Sequence, residues 1–212
     1  MQTRNKVFGV TCPSCGHEYE TEMNTAVFAS TTDREKLLTG SFASLTCPSC
    51  GHEFILNYRF VYTDEDVKFM IVNDPKFVCV QNRLAFKSSL SILDPSRKSE
   101  QDKYLTRMTT DIEEVREKMA IFEAYLSDKA IEILKYMLLE SDELSLNHDD
   151  VVSFRYTPQN NFLIKTADEE EYRLAFVREV YDKIVAQYDG MFETDKAQLI
   201  DKNWAYDFLK NK

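Results

Sequence analysis

The sequence predicts an α+β protein: a zinc ribbon-like β module with extended antiparallel strands, followed by a helical and mixed α+β C-terminal part. Three observations carry this. The octapeptide Thr11-Cys12-Pro13-Ser14-Cys15-Gly16-His17-Glu18 recurs unchanged as Thr46-Cys47-Pro48-Ser49-Cys50-Gly51-His52-Glu53. Apolar residues alternate with polar ones after the second copy, the period of a strand. Beyond residue 105 the apolar spacing changes to three and four, the period of a helix.

Each copy of the octapeptide presents two thiolates from one tight turn. Together Cys12, Cys15, Cys47 and Cys50 form the four-sulfur ligand set of a structural zinc site, one Zn2+ per chain. Pro13 presets the turn, and Gly16 tolerates the positive φ that lets backbone N–H groups point back at sulfur. Four cysteines complete a tetrahedral shell, so His17 and His52 are expected at the surface or behind the ligands. A closed shell has no position for water or substrate, which makes the metal a fold-maker.

Composition narrows the function. The chain has 212 residues and a formal net charge of -10, and zinc held by four thiolates adds about two further negative charges. Non-specific nucleic-acid binding rests on surplus Lys and Arg, which this chain lacks. No charged-then-apolar leader opens the sequence and no apolar run approaches ~20 residues, so a cytoplasmic location away from membranes is expected. Five cysteines, four of them paired, suit a reducing compartment. The fifth, Cys79, falls in an apolar run and reads as a small buried hydrophobe.

In chain order, residues 5 to 10 read as a strand leading into the first knuckle. Thr32-Asp33-Arg34-Glu35 has the form of a capping box; with Leu37, Leu38 and the stop at Gly40 it predicts a two-turn helix. Phe54, Leu56, Tyr58, Phe60 and Tyr62 alternate as one aromatic strand, followed by strands over 67 to 72 and 77 to 80. Residues 82 to 103 lose periodicity, which places a linker at 94–102 between a zinc-binding β module (1–93) and a C-terminal part (103–212). Leu105, Met108, Ile112, Val115, Met119, Phe122 and Leu126 make a heptad seam, read as an amphipathic helix packed in its own domain, with a homodimer through residues 105–126 as the competing reading.

Ser127 caps a second helix striped by Ala130, Ile131, Leu134, Met137 and Leu138, so the two helices form a hairpin. Strands over 151 to 156 and 162 to 166 follow. Tyr172, Phe176, Val180 and Ile184 stripe a further helix, whose first turn takes the acidic run Asp168 to Glu171.

The paired Cys-Pro-Ser-Cys-Gly motifs, Leu37-Leu38-Thr39-Gly40 between them and Tyr62-Thr63-Asp64 after them resemble the CpXC domain family of bacterial proteins. The resemblance implies metal binding at Cys12, Cys15, Cys47 and Cys50 and implies no substrate. Segments 117–122 and 127–132 look like the helical continuation of long members.

Three function classes follow. The leading expectation is a non-enzymatic, zinc-stabilised module that engages another protein through its acidic helical part. The second is a nucleic-acid-binding ribbon in which Arg4, Lys6, Arg34, Lys36 and Arg59 form a basic patch and Tyr58, Phe60 and Tyr62 stack on bases, a reading disfavoured by the acidic total. The third is a Cys-x-x-Cys thiol redox protein, against which the duplication counts, because one reactive pair at a helix start suffices for that chemistry. No catalytic set can be named: His17, His52 and His148 are the only histidines, and no Gly-x-Ser-x-Gly or His-Glu-x-x-His motif occurs.

Overall fold

β1 (Asn5–Thr11) pairs antiparallel with β2 (Glu18–Asn24), and the first knuckle forms the tip of this hairpin. After β3 (Ala26–Phe28) and α1 (Thr32–Thr39), β4 (Ser44–Thr46) pairs with β5 (Glu53–Ile55) around the second knuckle. These observations come from a computed structural model that describes residues 4–91, 104–141, 144, 148–192 and 197–211. The proposed linker at 94–102 lies outside the described residues. The chain divides into two units, Met1–Val115 and Arg116–Lys212.

In the first unit, β6 (Phe60–Asp64), β7 (Phe69–Asn73) and β8 (Leu105–Thr109) join β3 in the order β8-β7-β6-β3. The β6–β7 pair is antiparallel, while β3–β6 and β7–β8 are parallel. Alternation on β6 buries Phe60, Tyr62 and Asp64 and leaves Val61 and Thr63 on the half-buried face. Asn73 closes the junction before β6: its Nδ2 donates to Asn57 Oδ1 at 3.0 Å and Tyr58 O at 2.8 Å, and its Oδ1 accepts from Thr109 Oγ1 at 3.0 Å.

α2 (Val80–Ser91) and α3 (Ile112–Glu123) follow in sequence. In the second unit, α4 (Asp128–Leu139) packs against α5 (Arg178–Tyr188) and α6 (Lys202–Lys210), and β9 (Val151–Thr157), β10 (Asn161–Thr166) and β11 (Glu171–Ala175) form an antiparallel meander. Every residue from Asp128 to Lys135 is buried, so α4 is the central helix of its unit. Its charged residues are therefore paired, as buried charges must be. Lys118 Nζ lies 3.4 Å from both Asp128 and Glu132, and Lys135 Nζ lies 3.0 Å from both Glu117 and Glu132. Among the described residues, no helix is long and apolar enough to cross a membrane.

The strands and helices of an α+β chain are present, with local corrections. The aromatic stretch 54 to 62 is two strands, because the Asn73 side chain, rather than a sheet partner, takes the backbone at Tyr58. Residues 77 to 80 form no strand: Asp74 accepts from Lys76 N at 3.0 Å and Pro75 opens a 3-10 turn over Pro75–Val78, Cys79 alone is extended, and α2 starts at Val80. Part of the stretch read as aperiodic is α2 itself.

The heptad seam does not form one helix. Leu105–Thr109 is a strand; α3 begins afresh where Asp111 Oδ1 accepts from Glu114 N at 2.9 Å, and Glu114 reaches back to Thr110 N at 2.7 Å. α3 ends where Tyr125 turns left-handed (φ 54) and Leu126 N donates to Ile121 O. At α1 the N-cap is Thr31, one residue before the expected Thr32, and its hydroxyl donates to Phe28 O instead of capping. The acidic run at 168 to 171 leads into β11 through a turn with Glu169 at φ 66; the helix starts later, at Arg178.

Candidate metal centre

The two knuckles share one backbone pattern. Cys12 N donates to His17 O at 2.9 Å and Gly16 N to Cys12 O at 3.0 Å; Cys47 N donates to His52 O at 2.9 Å and Gly51 N to Cys47 O at 3.0 Å. Gly16 at φ 72 and Gly51 at φ 73 complete each turn in the left-handed region, where a side chain is strained. Identical octapeptides thus fold identically, each at the tip of its own hairpin.

The hairpins bring the tips together. Cys12 Sγ is 3.8 Å from Cys50 Sγ, Cys15 Sγ is 3.7 Å from Cys47 Sγ, and all four sulfurs lie within 4.8 Å of one another. A regular tetrahedron with Zn–S bonds of ~2.3 Å has edges of about 3.8 Å, so the observed separations fit a zinc-sized ion with little adjustment. Each knuckle contributes one buried and one exposed cysteine: Cys12 and Cys47 face the interior, Cys15 and Cys50 the solvent.

The electrostatics split the cluster. Burial opposes ionisation of Cys47, but the N–H groups of Cys50 and Ser49 outweigh it and bring the thiol down to about 6. At Cys15 the His17 N–H favours the thiolate, but contact with Cys50, burial and the other two cysteines push the group up to about 12. Four thiolates therefore coexist in this space only around a cation. Burial, then Cys47 and Cys12, hold the Tyr19 phenol neutral; its buried hydroxyl has no hydrogen-bond partner among the described residues.

The histidines stand outside the cluster, as expected. His17 stacks on Tyr19 with ring centroids 6.0 Å apart, and His52 on Phe54 at 6.2 Å. Cys79 differs from its reading: it is exposed, with Sγ 2.9 Å from Gln81 Oε1, because the chain there is turning into a helix.

The five cations of the basic patch fall into two places. Arg34 pairs with Glu35 at 2.6 Å and Lys36 with Asp33 at 2.8 Å, both on α1. Arg4, Lys6 and Arg59 instead line one groove of about 610 Å³. The three aromatics proposed to stack on bases are inside: Tyr58, Phe60 and Tyr62 are each buried. Two features escaped the sequence reading. One is the aromatic part of that groove, Phe8 and Phe28, which lie on short strands without long periodicity. The other is the buried ion cluster, whose signal was charged residues interrupting the apolar stripes of α3 and α4.

A family model described as CpXC protein matches residues 10–135. No curated protein and no solved structure matches the chain.

Proposed function

The chain belongs to the CpXC family, and from that premise we propose that it is a zinc-stabilised, non-enzymatic protein-interaction module. The observation that carries this reading is the four-sulfur cluster, whose separations suit a tetrahedral ion and whose donor set leaves no coordination position for water or substrate. Zinc would be held by Cys12, Cys15, Cys47 and Cys50, neutralising thiolates that otherwise repel one another. Its contribution is to fix two hairpins in one arrangement and thereby present their surfaces to a partner.

Two measurements test this. Metal analysis of the purified chain is expected to give about one zinc per chain, and free titration of all four thiols without chelator would remove the metal. Co-purification of the untagged protein at native abundance is expected to yield a protein partner in stoichiometric amount. Recovery of the chain alone, or with nucleic acid, would overturn the interaction reading.

A further inference from the structure

We propose that the groove lined by Arg4, Lys6 and Arg59 binds an acidic peptide segment carrying an aromatic anchor residue. This deepens the interaction-module reading and rests on it for the biological partner. In the β1–β2 ribbon, antiparallel register puts Lys6 opposite Met23 and Phe8 opposite Thr21 on one face, and Val7 opposite Glu22, Gly9 opposite Glu20 and Thr11 opposite Glu18 on the other. The ribbon thus sorts its charge, with cations beside Phe8 and exposed carboxylates behind.

The cationic face borders the end of the sheet. Ala26 pairs with Val61 and Phe28 with Thr63 on the half-buried face, and these residues with Phe8 and Phe60 give the groove its apolar surface. Its lining contains three cations and no carboxylate, although the chain has 36 acidic residues against 26 basic. Lys6 Nζ sits 5.4 Å from the Phe8 centroid, and among the described residues neither Arg4 nor Lys6 has an ion-pair partner. Arg59 contacts Asp74 at 3.4 Å, yet its side chain remains 62% exposed and available to a second carboxylate. Charge complementarity therefore calls for an anion, and the aromatic surface for a flat apolar group beside it.

Two features choose among anions. At the free edge of β3, Ala26 N donates to Asn24 Oδ1 at 3.0 Å and Phe28 O accepts from Thr31 N and Oγ1, so two of the backbone groups that an added strand would pair with are already taken and side chains are the main hold on a ligand. A polynucleotide carries a phosphate at every step and would run beyond the three cations over a chain of formal net charge -10. A short peptide places its carboxylates only against the three cations.

The test uses the full chain and a dye-labelled peptide, fluorescein-Gly-Gly-Asp-Glu-Phe-Asp-Glu-amide, followed by anisotropy at several salt concentrations. Binding that weakens with salt, and weakens about tenfold or more when Phe is replaced by Ala in the probe or when the protein carries R4E and K6E, is expected. R34A, outside the groove, should leave the affinity unchanged, and helical content with zinc stoichiometry shows whether the double variant is folded. Affinity insensitive to R4E and K6E in a folded chain overturns the proposal, as does absence of probe binding. Tighter binding of oligo(dT) or oligo(U) at matched charge overturns it in favour of nucleic acid. If the R4E and K6E chain still retains its co-purified protein partner, the groove proposal fails while the interaction reading stands; if the wild-type chain yields no partner but binds the probe, the reverse holds.

Discussion

Lys135 Nζ lies 3.0 Å from Glu117 Oε1, and that same oxygen accepts the Tyr156 N–H at 2.7 Å, so α4, α3 and β9 meet at one buried charge. The carboxylate is tied at once to a helix and to a sheet. Removing the cation alone leaves Glu117 buried without its nearest counter-charge. Lys135→Met is expected to cost about 3–5 kcal/mol of unfolding free energy. Combining it with Glu117→Gln should cost less, because a neutral amide oxygen still accepts from Tyr156 without needing a cation. Urea unfolding of the three chains, followed by far-UV circular dichroism, measures the difference.

The same cluster sets an alkaline limit. Burial works against the charges of Lys118 and Lys135, but the carboxylates outweigh it: Asp128 and Glu132 for Lys118, Glu117 and Glu132 for Lys135, so both lysines are raised above their ordinary value. Their stabilisation is complete below the unfolded value of about 10.4 and is lost as pH rises through the higher folded values. The denaturation midpoint should therefore fall from about pH 10 upward, and fall less steeply in Lys135→Met.

Cys47→Ser should abolish stoichiometric zinc and disorder both hairpins. The helices of residues 116–212 lie in a separate unit and should keep their circular dichroism signal. Acidification should release zinc from the wild-type chain, because protons compete for the thiolates. A zinc-sensitive dye reports both effects; zinc retained by the serine variant would show that the cluster does not hold it.

Gly16→Ala and Gly51→Ala isolate backbone strain from packing. A methyl group at either position meets nothing within 4 Å, so only the left-handed φ opposes it. Each change should cost roughly 1–2 kcal/mol, read as faster zinc loss to a chelator at unchanged stoichiometry.

The cysteine cluster was legible because a candidate ligand set is a local pattern: the repeated Cys-Pro-Ser-Cys-Gly fixes its own turn, and only the meeting of the two turns needed the fold. α4 was legible for the same reason, since Ser127 accepts from Ala130 N as its cap. The failures came where side chains reach across the chain. Leu105 and Met108 continue the spacing of α3, but pairing with β7 makes them a strand, and no local signal weighs that register against a helix. The groove was half legible: its cations were visible in the sequence, while only the fold shows that Arg4, Lys6 and Arg59 share one groove and that Arg34 and Lys36 lie outside it, paired on α1.

A metal ion held by the cysteine cluster would tie residue 15 to residue 47, whose sulfurs lie 3.7 Å apart, and the loop so closed contains β2, β3 and α1. In the unfolded chain such a cross-link removes conformational freedom worth about 3–4 kcal/mol for a loop of this size, if a metal bridge acts as a disulfide would. Bound zinc would therefore stabilise the groove without touching it. Phe28 and Ala26 lie on a three-residue edge strand, and a metal at the cysteine cluster would lower the entropic cost of holding that strand in place.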